Sequence, residues 1–219
     1  MVGTLLTTNP PFDGTGVFRY LAGHAIPGVE DGDESRYRRR IRRGAGSAML
    51  EVRLAEPDGS GGGEPAGVVA SLDGGPLPSD LVAPVRRLVD LDADSAAIDA
   101  RLAEDHALAP SVAQNPGIRL PGSLDAHEQL IRTLVGQQIS IAAARSVLAR
   151  IARELCGDSG LFPTAQELAE HGLEVLKGPA SRVAAIHGAA VALADRAAAW
   201  APFRSYAGLH VWAATRSTT

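Results

Sequence analysis

The sequence predicts an α+β fold: a small antiparallel-sheet unit over about residues 1–76, then an all-helical unit over about 77–219. Three observations carry this. Two β-type runs, SRYRRRIRR (35–43) and SAMLEVRLAEP (47–57), flank a GAG turn, and a third run, GVVASLDG (67–74), follows them. No strand pattern interrupts residues 78–219. Aromatics make up only 4% of the chain, and much of the 45% hydrophobic content is Ala, which suits close-packed helices better than a bulky core.

In chain order, NPPFD (9–13) reads as a turn that starts a helix. VFRYLAGHA (17–25) then puts Val17, Leu21 and either Phe18 or Tyr20 on one helical face. The hairpin strands follow, with Met49, Val52 and Leu54 among the apolar residues of the second, and DGSGGGEP (58–65) is a flexible loop tip before the third strand. Pro78–Ser79–Asp80 opens a helix whose Leu81, Val82, Val85, Leu88 and Val89 keep 3.6-residue spacing. SAAIDARLAED (95–105) is a short acidic helix, and NPGIRLPGSLD (115–125) is a stiff connector. AHEQLIRTLV and SIAAARSVLARIAREL form a helix pair around GQQIS. Thr164 with Glu167 three residues later is a capping box that opens FPTAQELAEH. Residues 181–196 and about 205–215 give the last two helices.

The bulk numbers exclude several classes. No stretch is long and apolar enough for a membrane span, and the N-terminus lacks the pattern of a secretory leader. A single cysteine, Cys156, excludes an internal disulfide and a Cys-rich zinc site, so a reducing, cytoplasmic setting is expected. The six His are scattered with no ligand spacing, so no metal and no cofactor is expected. Net charge is −4, but residues 116–219 carry +2 against −6 for residues 1–115, which makes the second half the better face for a polyanion. The six arginines between 36 and 43 read as a solvated strand edge that resists aggregation, in preference to a phosphate contact.

GQQIS interrupts an otherwise good helix. Gly136 permits the positive φ that ends the first helix, and Ser140 N-caps the second. The amides of Gln137 and Gln138 and the unpaired N–H groups of the second helix then face outward, where they suit a phosphate or a base edge. From the residues alone, a plain solvated corner is the alternative.

The surrounding block NPGIRLPGSLDAHEQLIRTLVGQQISIAAARSVLARIA resembles the 3-methyladenine DNA glycosylase II family, the alkylated-base branch of the helix–hairpin–helix DNA glycosylases. Three further blocks agree in order: NPPFDGTGVFRYLAGHAIPGVE (9–30), FPTAQELAEHGLEVLKGPASRVAAIHGAAVALA (162–194) and WAPFRSYAGLHVWAA (200–214). The resemblance implies a TBP-like N-terminal sheet domain and a helical glycosylase domain. It implies base-excision repair of double-stranded DNA carrying alkylated bases, by base flipping and cleavage of the N-glycosidic bond. Flipping needs a wedge to fill the vacated stack. On this resemblance Gln137 matches the family glutamine and Gln138 the wedge position, with Ile139 and Ser140 completing the corner. Tyr20 and Trp212 match aromatic pocket positions and Phe12 adds to the wall, attracting a cationic purine by about 0.5–2 kcal/mol per good cation–π contact. Three core aromatics are the alternative.

Two family features are missing. None of the three Pro-Gly pairs (27–28, 116–117, 121–122) continues into the P-G-[IV]-G turn of the phosphate-gripping hairpin. Beyond residue 155 the only aspartates are Asp158 and Asp195, and only four residues separate Asp195 from Trp200, where the family has several dozen. The expectation is therefore a helical domain internally truncated near 195–196, lacking its helix–hairpin–helix and catalytic aspartate, with no catalytic residue to assign. DNA binding is expected to be weakened. Helices 181–196 and 206–212 are expected to repack or to expose apolar surface that drives self-association. A non-catalytic lesion binder and a non-functional remnant of a deleted gene are the other two readings.

Overall fold

The computed structural model describes residues 3–56 and 67–196. The loop tip at 58–65, the final helix at 205–215 and Trp212 lie outside the described residues. By contact the chain forms two compact units, Met1–Ala25 with Glu30–Leu124 and Ile26–Val29 with Asp125–Thr219.

The first unit is built on an antiparallel sheet of β1 (Thr4–Thr7), β2 (Glu30–Gly32), β3 (Arg36–Arg43), β4 (Gly46–Leu54), β5 (Gly67–Leu72) and β6 (Gly75–Pro76). The order is β1-β5-β4-β3-β2, with β6 paired to β5. The expected hairpin forms as read: β3 and β4 pair from Arg36↔Arg53 to Arg43↔Gly46 around a two-residue turn that Gly44 enters at φ +54°. Asp73 and Gly74 both take positive φ between β5 and β6, the chemistry of a type I′ turn. Asp73 further accepts from Met49 N at 2.8 Å, which ties this turn to β4.

Three strands escaped the sequence reading: the two-residue β6, β1 and β2. β1 is only TLLT, and it exists because Leu6 pairs opposite Val68 and drops into the core while Leu5 faces out. β2 is EDG, a sequence with no intrinsic strand preference, recruited by pairing Glu30 to Arg39.

That pairing limits the edge reading of the arginine run: β4 pairs with β3 along its length, and β2 covers the other side at Tyr37–Arg39. Tyr37 and Arg39 point to the core face, where the Tyr37 hydroxyl donates to the Glu30 carboxylate and Arg39 Nη1 lies 3.3 Å from it. Both members of the Glu30–Arg39 pair are nearly sealed from water.

On that core face Leu6, Leu50, Val52, Val68 and Ala70 pack against Val17, Phe18 and Leu21 of α1 (Gly14–His24) and Val85 and Leu88 of α2 (Ser79–Leu88). Phe18, fully buried, and not Tyr20, is the aromatic on the buried stripe of α1. The sequence places a boundary near residue 76, but residues 77–124 group with the sheet. Leu77, Val89 and Leu91 belong to the sheet's own core, so this helical stretch has its apolar face already committed there. α3 (Ser95–Leu102) and α4 (Ala109–Gln114) complete the unit.

The connector 115–125 is a structural hub. Arg119 donates through Nη1 to the carbonyls of Asp90 and Ala93, and through Nη2 to those of Asn9 and Pro11 and to Ser95 Oγ, all within 3.1 Å. Burial pulls its guanidinium pKa down, partly offset by Asp90 and Asp99. Gly117, at φ +76°, lets the connector run directly against Pro11 and Phe12.

The second unit is α5 (Ala126–Gly136), α6 (Ile141–Cys156), a single 3-10 turn (Gly157–Ser159), α7 (Ala165–Val175) and α8 (Ala180–Arg196). Its core joins Ile131 and Leu134 of α5, Leu148 and Ile151 of α6, Leu168 of α7 and Ile186 and Leu193 of α8, with Ile26 and Val29. The Thr164–Glu167 capping box forms in both directions. Of the two outcomes expected for 181–196, the described structure shows packing: Ile186, Ala189, Ala190 and Leu193 are buried. No described helix is long and apolar enough to cross a membrane, and no cluster of potential metal ligands occurs among the described residues.

Candidate nucleic-acid interface

The α5–α6 corner is carried on two helices whose inner faces are fixed in the core of their unit. Asp125 starts α5 by accepting from Glu128 N at 2.9 Å. The helix runs through Gly136, which stays helical; the expected positive φ belongs instead to Gln138, at +62°. Gln137 is extended, with φ −61° and ψ 128°, so the two residues together reverse the chain. Ser140 then caps α6, its Oγ accepting from Ala143 N at 3.2 Å, as the sequence predicts.

Gln137, Gln138 and Ser140 are exposed, Ile139 is half-buried, and Ile141 after them is 53% exposed. The corner thus offers two amide side chains, each with donors and acceptors, beside the N-terminal end of a 16-residue helix. One contact was not legible in the sequence. Arg182, two residues into α8, donates from Nη2 to the Gln137 carbonyl at 2.8 Å. That carbonyl lies at the C-terminal end of α5, where intrahelical donors have run out. A guanidinium 45 residues away in sequence gave no local signal.

The aromatic positions have separate surroundings. Phe12 is buried in the core of the sheet unit, with the Arg119 guanidinium carbon 5.3 Å from its ring centroid. An edge of it also lines an open cleft of about 240 Å³ with Asp13, Gly14, Thr15, Gln114, Asn115 and Pro116. Tyr20 is 46% exposed on α1 and stacks on His24, ring centroids 4.0 Å apart. Trp212 lies outside the described residues. Of the two aspartates beyond residue 155, Asp158 sits exposed in the 3-10 turn and Asp195 exposed in the last turn of α8.

Residues 4–125 match the AlkA N-terminal domain family. The chain belongs to the AlkA, or 3-methyladenine DNA glycosylase II, family. Among its AlkA relatives is the probable bifunctional transcriptional activator/DNA repair enzyme AlkA of Mycobacterium tuberculosis, 32% identical over 89% of this chain and 40% of that protein. DNA-3-methyladenine glycosylase 2 of Escherichia coli is 31% identical over 78% of this chain and 59% of that protein. The chain therefore spans about two-fifths to three-fifths of the length of these relatives. Two solved structures share the AlkA-type fold. The 3-methyladenine DNA-glycosylase of Archaeoglobus fulgidus aligns at TM-score 0.65 with 14% identity, covering 84% of this chain and 65% of that one. The 8-oxoguanine glycosylase/lyase of Clostridium acetobutylicum, solved with double-stranded DNA, aligns at 0.57 with 16% identity, covering 89% and 67%.

Membership of the AlkA family accounts for the agreement of the sequence blocks. The Arg119 hub gives the densest of them a structural reason, because NPGIRLPG must meet NPPFD through specific backbone carbonyls.

Proposed function

We propose that this chain is a base-excision-repair protein of the AlkA family that engages alkylated duplex DNA through the Gln137–Ser140 corner and does not cut the glycosidic bond. The observation that carries the reading is the corner itself: two exposed amides at a reversed, side-chain-capped helix junction, with Gln138 at its tip. An amide at the tip fills the space left by an extruded base and hydrogen-bonds the orphaned partner. It stacks less well than an apolar wedge. Tyr20, Trp212 and Phe12 are the residues proposed for the base pocket.

The loss of catalysis is argued from the chemistry of the residues present. An oxocarbenium-like transition state needs a carboxylate held close to the sugar in a water-excluded site, where its field is not screened. Asp158 and Asp195 are both solvent-exposed, so neither meets that requirement. Without the family's hairpin turn, fewer phosphates are gripped, and the salt dependence of binding is correspondingly small.

The test uses the pure 219-residue protein on alkylated duplex. Expected are preferential binding of the damaged or abasic-analogue duplex and no release of 3-methyladenine. Measurable base release sinks the claim of lost catalysis; equal affinity for damaged and intact duplex sinks the wedge.

A further inference from the structure

Among the described residues, the sheet's second face has no helix packed on it as α1 and α2 pack on the first. Pairing register assigns to it Leu5, Val69 and Ser71, then Ser47, Met49, Glu51 and Arg53 of β4, Arg36, Arg38, Arg40 and Arg42 of β3, and Asp31 of β2. None of these residues is buried. Five arginines share the face with two carboxylates, in a half of the chain whose net charge is −6. Arg38 lies 3.4 Å from Glu51, and Arg36 3.9 Å from both Asp31 and Asp33. Arg40 and Arg53 have no ion-pair partner among the described residues.

Protection of a strand edge does not explain the whole row, because β2 covers β3 at Tyr37–Arg39 and Arg53 lies on β4, which is paired on both sides. Cross-strand pairing explains Arg38, which lies opposite both Glu51 and Asp31, but not Arg53, which lies directly opposite Arg36, where like charges repel. A row of this kind is maintained against self-repulsion, which an external anion relieves.

We infer that this open sheet face, centred on Arg40 and Arg53, is a sequence-independent contact for the phosphate backbone of duplex DNA, separate from the α5–α6 corner. Alternate residues of a strand stand about 6.6 Å apart, and neighbouring phosphates of a DNA strand, about 3.4 Å apart along the axis and further separated by the helical rotation, lie at a similar spacing. Guanidinium forks match phosphate oxygens bidentately, and most side chains on this face are charged or polar. The choice of DNA as occupant rests on the function proposed above; the charge pattern does not.

The test is fluorescence anisotropy of the full chain with an undamaged duplex and with the same duplex bearing an abasic analogue, across a salt series. For the Arg40→Glu/Arg53→Glu variant we expect affinity for undamaged duplex to fall at least about ten-fold at about 50 mM salt, and the slope of log K against log salt to shrink by about two. Its preference for the abasic duplex stays unchanged. Gln138→Ala gives the converse: the preference falls and the slope holds. Should the charge reversal unfold the protein by circular dichroism, Arg40→Gln/Arg53→Gln is used, with the same expectation at roughly half the size in affinity. A wild-type chain that shows the arginine-dependent slope but no lesion preference removes the wedge and leaves this surface standing. Unchanged affinity and slope in the variants overturn the proposal. Equal competition by polyglutamate overturns it in favour of an acidic polypeptide, and absence of any duplex binding at low salt overturns it outright.

Discussion

Gln138 holds a left-handed backbone that a side chain with a Cβ reaches only at a cost of about 1–2 kcal/mol. The anchors on either side, Arg182 on the Gln137 carbonyl and Ser140 on Ala143 N, hold it there. Strain kept at an exposed tip fits a residue retained for what its side chain does. Gln138→Gly should raise stability by up to about 1 kcal/mol in urea denaturation while lowering preference for lesion duplex. Loss of stability on this change would mean that the φ does not set the cost.

His127 makes a second prediction. Its ring is buried beside the start of α7, with Nε2 3.3 Å from the Pro163 carbonyl. Burial holds its pKa below the ordinary value of 6.5, against the opposing pull of Asp125 and Glu128. The unfolded chain therefore takes up this proton first as pH falls. Native stability should drop as pH goes below about 6.5 and level off once the depressed folded value is passed. His127→Gln should flatten the fall in Tm between about pH 7 and 5 relative to wild type; parallel Tm curves would count against it.

Helix N-caps carry strong local signals, and those at Ser140 and Thr164 formed where the sequence placed them. Thr164 and Glu167 satisfy each other's backbone donors, so Thr164→Ala should cost about 1 kcal/mol in thermal or urea unfolding. The connector is less forgiving. A Cβ on Gly117 would lie 2.5 Å from the carbonyl carbon and oxygen of Pro11 and 2.7 Å from Phe12 N, at a φ of +76°. Those are backbone atoms with nowhere to move. Gly117→Ala should lose about 3 kcal/mol, from strain and overpacking together. A loss below about 1 kcal/mol would show that the close approach relaxes.

The chain as a whole is weakly acidic, yet five of its twenty arginines share one open sheet face, and its amide corner lies in the other unit. Large apolar side chains remain in water in both units: Leu120 at 82%, Leu173 at 61% and Ile141 at 53% exposure. Exposed apolar surface of this kind favours association. We expect concentration-dependent self-association in sedimentation velocity. A single monomer at all concentrations, with one sharp cooperative melt, would speak against it.

The sequence by itself determined the α+β class, the β3–β4 hairpin, the helices α5 to α8, the Ser140 and Thr164 caps and the AlkA resemblance. These rest on short-range causes: spacing of apolar residues, capping oxygens, and glycines at turns, all readable within a few residues. The tertiary structure decided what depends on partners far away in the chain. It made strands of TLLT and EDG, gave the arginine run a second partner strand at Tyr37–Arg39, and drew residues 77–124 to the sheet. It also buried Arg119 among four backbone carbonyls, set Arg182 on the α5–α6 corner and moved the left-handed backbone from Gly136 to Gln138. A residue's type fixes which bonds it can make. Which partner it meets, and whether water reaches it, is fixed only when distant segments close around it.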